Sequence, residues 1–168
     1  MAAIVLIGFM GAGKTTISRK LSMQLKKPLI DMDTKLVEEF GCSISQYFEL
    51  HGEAAFRQKE TKLLKNSLQE EAIIATGGGV ILQEENQRLL TDHLVVYLKA
   101  DPDLLIKRIR QDHKQARPLA LDKDDTELKE LFFSRKKHYE TLADLTIETT
   151  GKSPAEVVSE IIKQVMNR

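Results

Sequence analysis

Residues Gly8-Phe9-Met10-Gly11-Ala12-Gly13-Lys14-Thr15 fit the pattern G-x-x-x-x-G-K-[ST]. They stand between the apolar run Ala3–Ile7 and a segment from Lys14 to about Lys26 whose apolar residues Ile17, Leu21 and Leu25 recur at helical spacing. A strand, a glycine-rich loop and a helix in that order leave little choice of local structure. The glycines allow successive backbone N–H groups to curl around an anion, and the helix N-terminus adds its dipole. Lys14 reaches the outer phosphates and Thr15 offers a hydroxyl to Mg²⁺. A purine triphosphate with Mg²⁺ is therefore expected here, held by Gly11, Ala12, Gly13, Lys14, Thr15 and Thr16.

The rest of the chain repeats the alternation. Short apolar runs at Leu29–Ile30, Ala72–Ala75, Leu94–Leu98 and Leu145–Ile147 are separated by helix-like segments. Those helices are expected over about Thr34–Phe40, Ile44–Leu50, Ala54–Leu68, Glu84–Leu90, Pro102–Arg110, Thr126–Leu142 and Pro154–Met166. Strands joined through helices need crossover connections, which predicts an α/β fold: a three-layer sandwich around a five-stranded parallel sheet. With 168 residues, no internal repeat and no Pro/Gly/Ser-rich linker, a single domain over 1–168 is expected. Two stretches depart from the alternation, about 33–69 with its three short helices and about 111–125 with no apolar periodicity. The first is the expected substrate-binding insertion and the second a lid.

Composition narrows the function further. The 25 basic and 25 acidic residues cancel, so the chain lacks the global field that a nucleic-acid binder uses for nonspecific phosphate contact. The apolar stretch Met1–Gly13 is too short to span a bilayer, which takes about 20 residues, and no positive residue precedes it. Cys42 is the single cysteine, which excludes an internal disulfide and a multi-cysteine zinc site and suggests a reducing, cytoplasmic setting. His51, His93, His113 and His138 show no metal-ligand spacing and are read as surface or capping residues.

Three further groups stand out. Asp31-Met32-Asp33 places two carboxylates at i, i+2, on one side of an extended backbone. One could order water around Mg²⁺ while the other takes a hydroxyl proton; alternatively Asp33 simply caps the next helix. Gly77-Gly78-Gly79 closes the third apolar run and suits either a ligand lying on the backbone or a tight turn. Arg57, beside Phe56 on a helix with core residues Leu63 and Leu64, and Arg135 on a later helix are solvated charges or bidentate partners for a carboxylate. Lys59, Glu60, Lys62, Lys65, Glu70 and Glu71 read as a solvated face.

Taken with Gly52-Glu53-x-x-Phe56-Arg57, Thr76-Gly77-Gly78-Gly79, Arg117-Pro118-Leu119 and Arg135-x-x-x-Tyr139, these landmarks cover nearly the whole chain in order. The set resembles shikimate kinase, of the P-loop small-molecule kinase group related to nucleoside monophosphate kinases. The resemblance implies phosphorylation of the 3-hydroxyl of shikimate by ATP with Mg²⁺, in a monomer that engages neither nucleic acid nor membrane. It implies that Asp33 holds the shikimate hydroxyls and acts as base, and that Asp31 meets Mg²⁺ through water beside Thr15. Arg57 and Arg135 clamp the carboxylate, with Gly78 and Gly79 against the ring. Arg117 closes with the lid beside Lys14. Arg110, or Arg108 in its place, stacks on adenine, and Lys152 belongs to the loop Thr149–Pro154 on the other face of the base. Two features depart from the family pattern: Ala120 stands where leucine is usual, and the adenine loop has Lys152 as its only cation. The alternatives are a kinase of the same build for gluconate or a nucleoside monophosphate, and a nonenzymatic nucleotide-binding paralogue.

Overall fold

The first apolar run forms β1 (Ile4–Ile7), every residue of which is buried. β3 (Ile73–Ala75) is likewise buried throughout, and β4 (Leu94–Lys99) is buried over its four middle residues. Burial on both faces is what makes these strands continuous apolar runs rather than alternating ones. With β2 (Leu29–Asp31) and β5 (Leu145–Glu148) they complete a sheet in the order β2-β3-β1-β4-β5, every pair parallel. This computed structural model describes residues 2–111 and 123–168. The expected sheet is therefore observed, strand for strand.

Among the described residues the helices are α1 (Lys14–Leu25), α2 (Met32–Phe40), α3 (Ile44–Ser67), α4 (Glu84–Leu90), α5 (Pro102–Gln111), α6 (Asp125–Leu142) and α7 (Pro154–Met166). Their starts are written locally. Ser43, Asp124 and Ser153 cap α3, α6 and α7, each with a reciprocal Gln or Glu three residues on, and Pro154 takes the first turn of α7. The two helices expected over Ile44–Leu50 and Ala54–Leu68 are one element broken at Gly52, whose φ of 85° and ψ of 170° leave the helix. Only glycine adopts that backbone without strain. The break re-aims the second half of α3, which carries Phe56, Arg57, Glu60 and Leu64.

The chain order places the loops of β1, β2 and β3 side by side. β1 lies between β3 and β4, so connections leave to opposite sides of it and open a crevice at the carboxyl ends of the strands. The latch between β3 and β1 is specific: the Thr76 backbone N–H and hydroxyl both donate to Leu6 O, at 3.3 and 2.8 Å. The three glycines that follow Thr76 are thereby held beside the loop that follows β1. A short 3₁₀ turn, Val80–Leu82, not foreseen from the sequence, then leads the chain away. On the other side, α5 backs the glycine-rich loop so closely that a Cβ on Gly11 would stand 3.0 Å from Leu105 O.

Candidate active site

The loop Gly8–Thr15 runs from β1 into α1 as its pattern requires. Gly13 takes a φ of 92°, the left-handed geometry that lets the loop turn into the helix, and it occupies the N-cap position. The Lys14 ammonium donates to Gly8 O at 2.6 Å and Phe9 O at 3.1 Å and so lies across the mouth of the loop. The Thr15 hydroxyl donates to Asp31 Oδ2 at 2.9 Å. These two oxygens come from the first turn of α1 and the last residue of β2, and both are hard donors of the kind Mg²⁺ prefers. Ala12 is buried under the loop while Thr15 and Thr16 are exposed at its rim.

The two aspartates divide their work differently from the pattern expected on an extended backbone. Asp31 ends β2 and is itself the N-cap of α2, its Oδ1 accepting from Thr34 N at 3.3 Å. Because the cap is Asp31 and not Asp33, α2 starts at Met32, two residues before the expected start. Asp33 is thus carried in the first helical turn, where its side chain turns toward the glycines: a Cβ on Gly77 would lie 3.3 Å from Asp33 Oδ1 and 3.1 Å from Glu60 Oε2.

Arg57 and Arg135 meet at the same glycines. Arg135 is 2% exposed, its guanidinium 5.9 Å from the Phe9 ring centroid, and its Nη1 lies 3.4 Å from where a Cβ of Gly78 would be. Arg57 packs over the Phe56 ring at 5.3 Å and against Gly79. Burial pulls the Arg135 guanidinium below the usual arginine range, and the Arg57 charge adds to that. Neither arginine is the solvated charge that a typical helical arginine is.

Glu60 corrects the sequence reading. It belongs to the string of charges taken as a solvated face, yet it is 1% exposed and binds Arg57 Nη1 at 2.8 Å. Its spacing held the clue: Phe56, Glu60 and Leu64 recur every four residues, which puts the carboxylate in the core stripe of α3. Burial pushes its carboxyl above the ordinary value, although Arg57 acts in the opposite sense. Tyr139 is the other residue whose part was not foreseen: it is fully buried, and its hydroxyl donates to Gly78 O at 2.7 Å.

On the nucleotide side the residues are more dispersed. Arg108 Nη1 donates to Gly11 O at 3.2 Å, whereas Arg110 pairs with Asp125 at 3.1 Å and donates to Lys123 O. Lys152 is bound to Glu160 at 2.7 Å, and the loop it sits in is tied to α5 through Thr150 Oγ1, which accepts from Asp101 N at 2.9 Å. Arg117, Ala120, His113 and most of the expected lid lie outside the described residues. His93 has a structural part: its Nδ1 accepts from Ala3 N at 3.0 Å.

A parallel sheet with a phosphate-binding loop after its first strand, two carboxylates and a buried cationic pair beside it defines a P-loop kinase for a small acidic acceptor. The comparisons with known proteins narrow this class. The family model for shikimate kinase matches residues 10–166. A shikimate kinase of Enterococcus faecalis is 50% identical over 166 residues, spanning 98% of this chain and 99% of the relative. The shikimate kinase of Acinetobacter baumannii, solved in complex with shikimate, superposes with a TM-score of 0.92 at 33% identity, covering 99% of this chain and 94% of that one. A gluconokinase from Sinorhizobium meliloti, at 15% identity and a TM-score of 0.60 over 98% of this chain and 91% of that one, shares the fold alone. The chain belongs to the shikimate kinase family, and its activity is transfer of a phosphoryl group to a hydroxyl of shikimate. Among the described residues no helix is long and apolar enough to cross a membrane.

Proposed function

We propose that the described residues divide the reaction between two banks of one crevice. ATP lays its phosphates in the loop Gly8–Thr15, with Gly11, Ala12, Gly13, Thr15 and Thr16 as backbone and hydroxyl donors and Lys14 on the outer phosphates. Thr15 and, through water, Asp31 suit Mg²⁺, which when bound supplies charge neutralisation and orientation of the phosphates. Arg108 at the back of the loop, Arg110 and Lys152 border the adenine side.

On the opposite bank Arg57 and Arg135 take the shikimate carboxylate as a bidentate cationic pair, and Gly78 and Gly79 offer backbone to the ring. The 3-hydroxyl is thereby carried toward Asp33. Its oxygen forms the new bond to the terminal phosphorus of ATP as the bond to ADP breaks, and its proton passes to Asp33. Lys14 and Arg117 neutralise charge on the phosphoryl group in flight. The observation that supports this reading most is the meeting of Arg57, Arg135 and Asp33 at Gly77–Gly79, since arginines are mostly exposed, yet here one is buried and the other largely so. The protein is proposed to act as a monomer in the cytoplasm, with ATP and shikimate as its partners.

The test is ADP release in a coupled assay, with shikimate, quinate, gluconate, AMP or no acceptor in parallel. Turnover is expected with shikimate alone. Asp33→Asn should retain ATP binding and lose on the order of 10² to 10⁴ in kcat, the range of general-base catalysis. Near-normal turnover in that variant would remove Asp33 from the chemistry.

A further inference from the structure

Three successive glycines carry no side chain to hold their peptide planes, and glycine populates more of backbone space than any other residue. Something must therefore set which way the Gly77–Gly79 amides face. The Tyr139 hydroxyl is placed to do so, since it donates to Gly78 O at 2.7 Å from a side chain that is itself 0% exposed. In a trans peptide the carbonyl of one residue and the N–H of the next point in opposite directions. Holding Gly78 O on the Tyr139 side thus turns the Gly79 N–H away from it. Arg135 stands one helical turn before Tyr139 on α6, and its Nη1 lies 3.4 Å from where a Cβ of Gly78 would be, so both side chains meet the same glycine. A phenol has one proton to donate and lone pairs that accept. Tyr139 uses its proton on the glycine backbone, and its oxygen's lone pairs face the side on which Arg135 flanks the same glycine.

We propose that Tyr139 is a positioning residue for the acceptor: it locks the carboxylate clamp and the glycine platform in one register, so that shikimate meets both at once. The proposal rests on the reading above that Arg135 and Gly78–Gly79 hold shikimate. The ring of Tyr139 is fixed by Tyr97 on β4, stacked at a centroid distance of 5.1 Å and an interplanar angle of 17°. Tyr97 also supplies a built-in contrast. Its hydroxyl is buried with no hydrogen-bond partner among the described residues. Two stacked buried phenols thus differ in that one hydroxyl reaches the glycines and the other has no hydrogen-bond partner among the described residues.

The experiment compares Tyr139→Phe, Tyr97→Phe and Arg135→Lys by steady-state kinetics, varying shikimate and ATP separately, with melting curves for each. Tyr139→Phe keeps the ring and is expected to raise the KM for shikimate roughly five- to tenfold, the scale of one neutral hydrogen bond. The KM for ATP stays at the wild-type value. Tyr97→Phe is expected to leave both constants unchanged. If Arg135→Lys raises the shikimate KM while Tyr139→Phe does not, the positioning role is wrong and the acceptor site stands. If neither raises it, the acceptor site itself is misplaced. Equal rises for both substrates in Tyr139→Phe, or an equal effect from Tyr97→Phe, would mean a structural role only and would overturn the proposal. A second measurement on the unaltered protein covers poor folding of the variant. The Tyr139 hydroxyl proton, followed by NMR, is expected to exchange more slowly with solvent once shikimate is added, and no change on addition would equally overturn the proposal.

Discussion

Gly79→Ala tests how tightly the acceptor basin is drawn. The backbone of Gly79, at φ −98° and ψ 1°, is open to alanine, so strain of the main chain does not enter. The added Cβ, however, would stand 2.6 Å from Arg57 Nη2, 2.7 Å from Nη1 and 2.8 Å from Cζ. Non-bonded heavy atoms settle at about 3.5–4.0 Å, so the guanidinium must retreat by about 1 Å. It cannot do so freely, because Nη1 is held at 2.8 Å by Glu60, a carboxylate that is 1% exposed. The retreat gives up either that pair or, in the proposed site, the alignment with the shikimate carboxylate. A hydrogen bond to a charged group contributes roughly 1.5–3 kcal/mol, which corresponds to a rise of roughly 10- to 150-fold in the KM for shikimate. Overpacking costs about 1–3 kcal/mol of stability, and a chain of this size loses roughly 2–4 °C of Tm per kcal/mol, so the fold survives. Coupled ADP-release kinetics with each substrate varied in turn will read the split. A shikimate KM equal to wild type, or a matching rise for ATP, would refute the placement of Arg57 in the carboxylate site.

The remaining expectations concern charge, closure and core. Burial raises the Glu60 carboxyl above 4.5, so between that value and its folded value the native state binds more protons than the unfolded chain, and stability falls as pH rises through this window. Glu60→Gln should flatten that descent in melting curves across about pH 4 to 8, and a slope equal to wild type would show that Glu60 does not titrate there. Arg117→Ala, in the segment outside the described residues, should lower kcat by about 10² or more with Tm unchanged, the scale of one lost transition-state donor; an unaltered kcat would reject its role. Leu6, fully buried in β1, should cost about 2–5 kcal/mol on replacement by alanine, and a Tm within about 2 °C of wild type would contradict its place in the core.

Much of the fold was legible because its signals are local. Buried parallel strands read as unbroken apolar runs, and every helix that begins with Ser or Asp three residues before Gln or Glu announces its start. The phosphate-binding loop was legible for the same reason, its residues being contiguous. What escaped notice depended on contacts between distant segments. Asp31 and Asp33 are two residues apart, yet α2 begins between them, so that Asp31 turns to Thr15 and Asp33 to Gly77. Glu60 was lost among surface charges because its neighbours Lys59 and Lys62 set the local impression, although its four-residue spacing from Phe56 and Leu64 was available. Nothing in Arg135-x-x-x-Tyr139 says that the phenol will reach a glycine carbonyl on another element.

The buried charges show what the basin requires of the fold. Two arginines set side by side out of water repel one another and lose hydration, which is why burial and Arg57 together depress Arg135. Glu60 offsets part of that cost and does so from the protein's own helix, before any substrate arrives. In the proposed site the arginines would therefore meet the shikimate carboxylate already ordered, and the rotamer entropy of two long side chains would not be charged against binding. Stability is the quantity that suffers, since a buried ion pair contributes less than apolar groups of the same volume. The basin is thus a place where the chain accepts a less stable core in return for a rigid one. The same argument explains the glycines: any side chain there would take the space into which Arg57, Arg135, Asp33 and Glu60 converge.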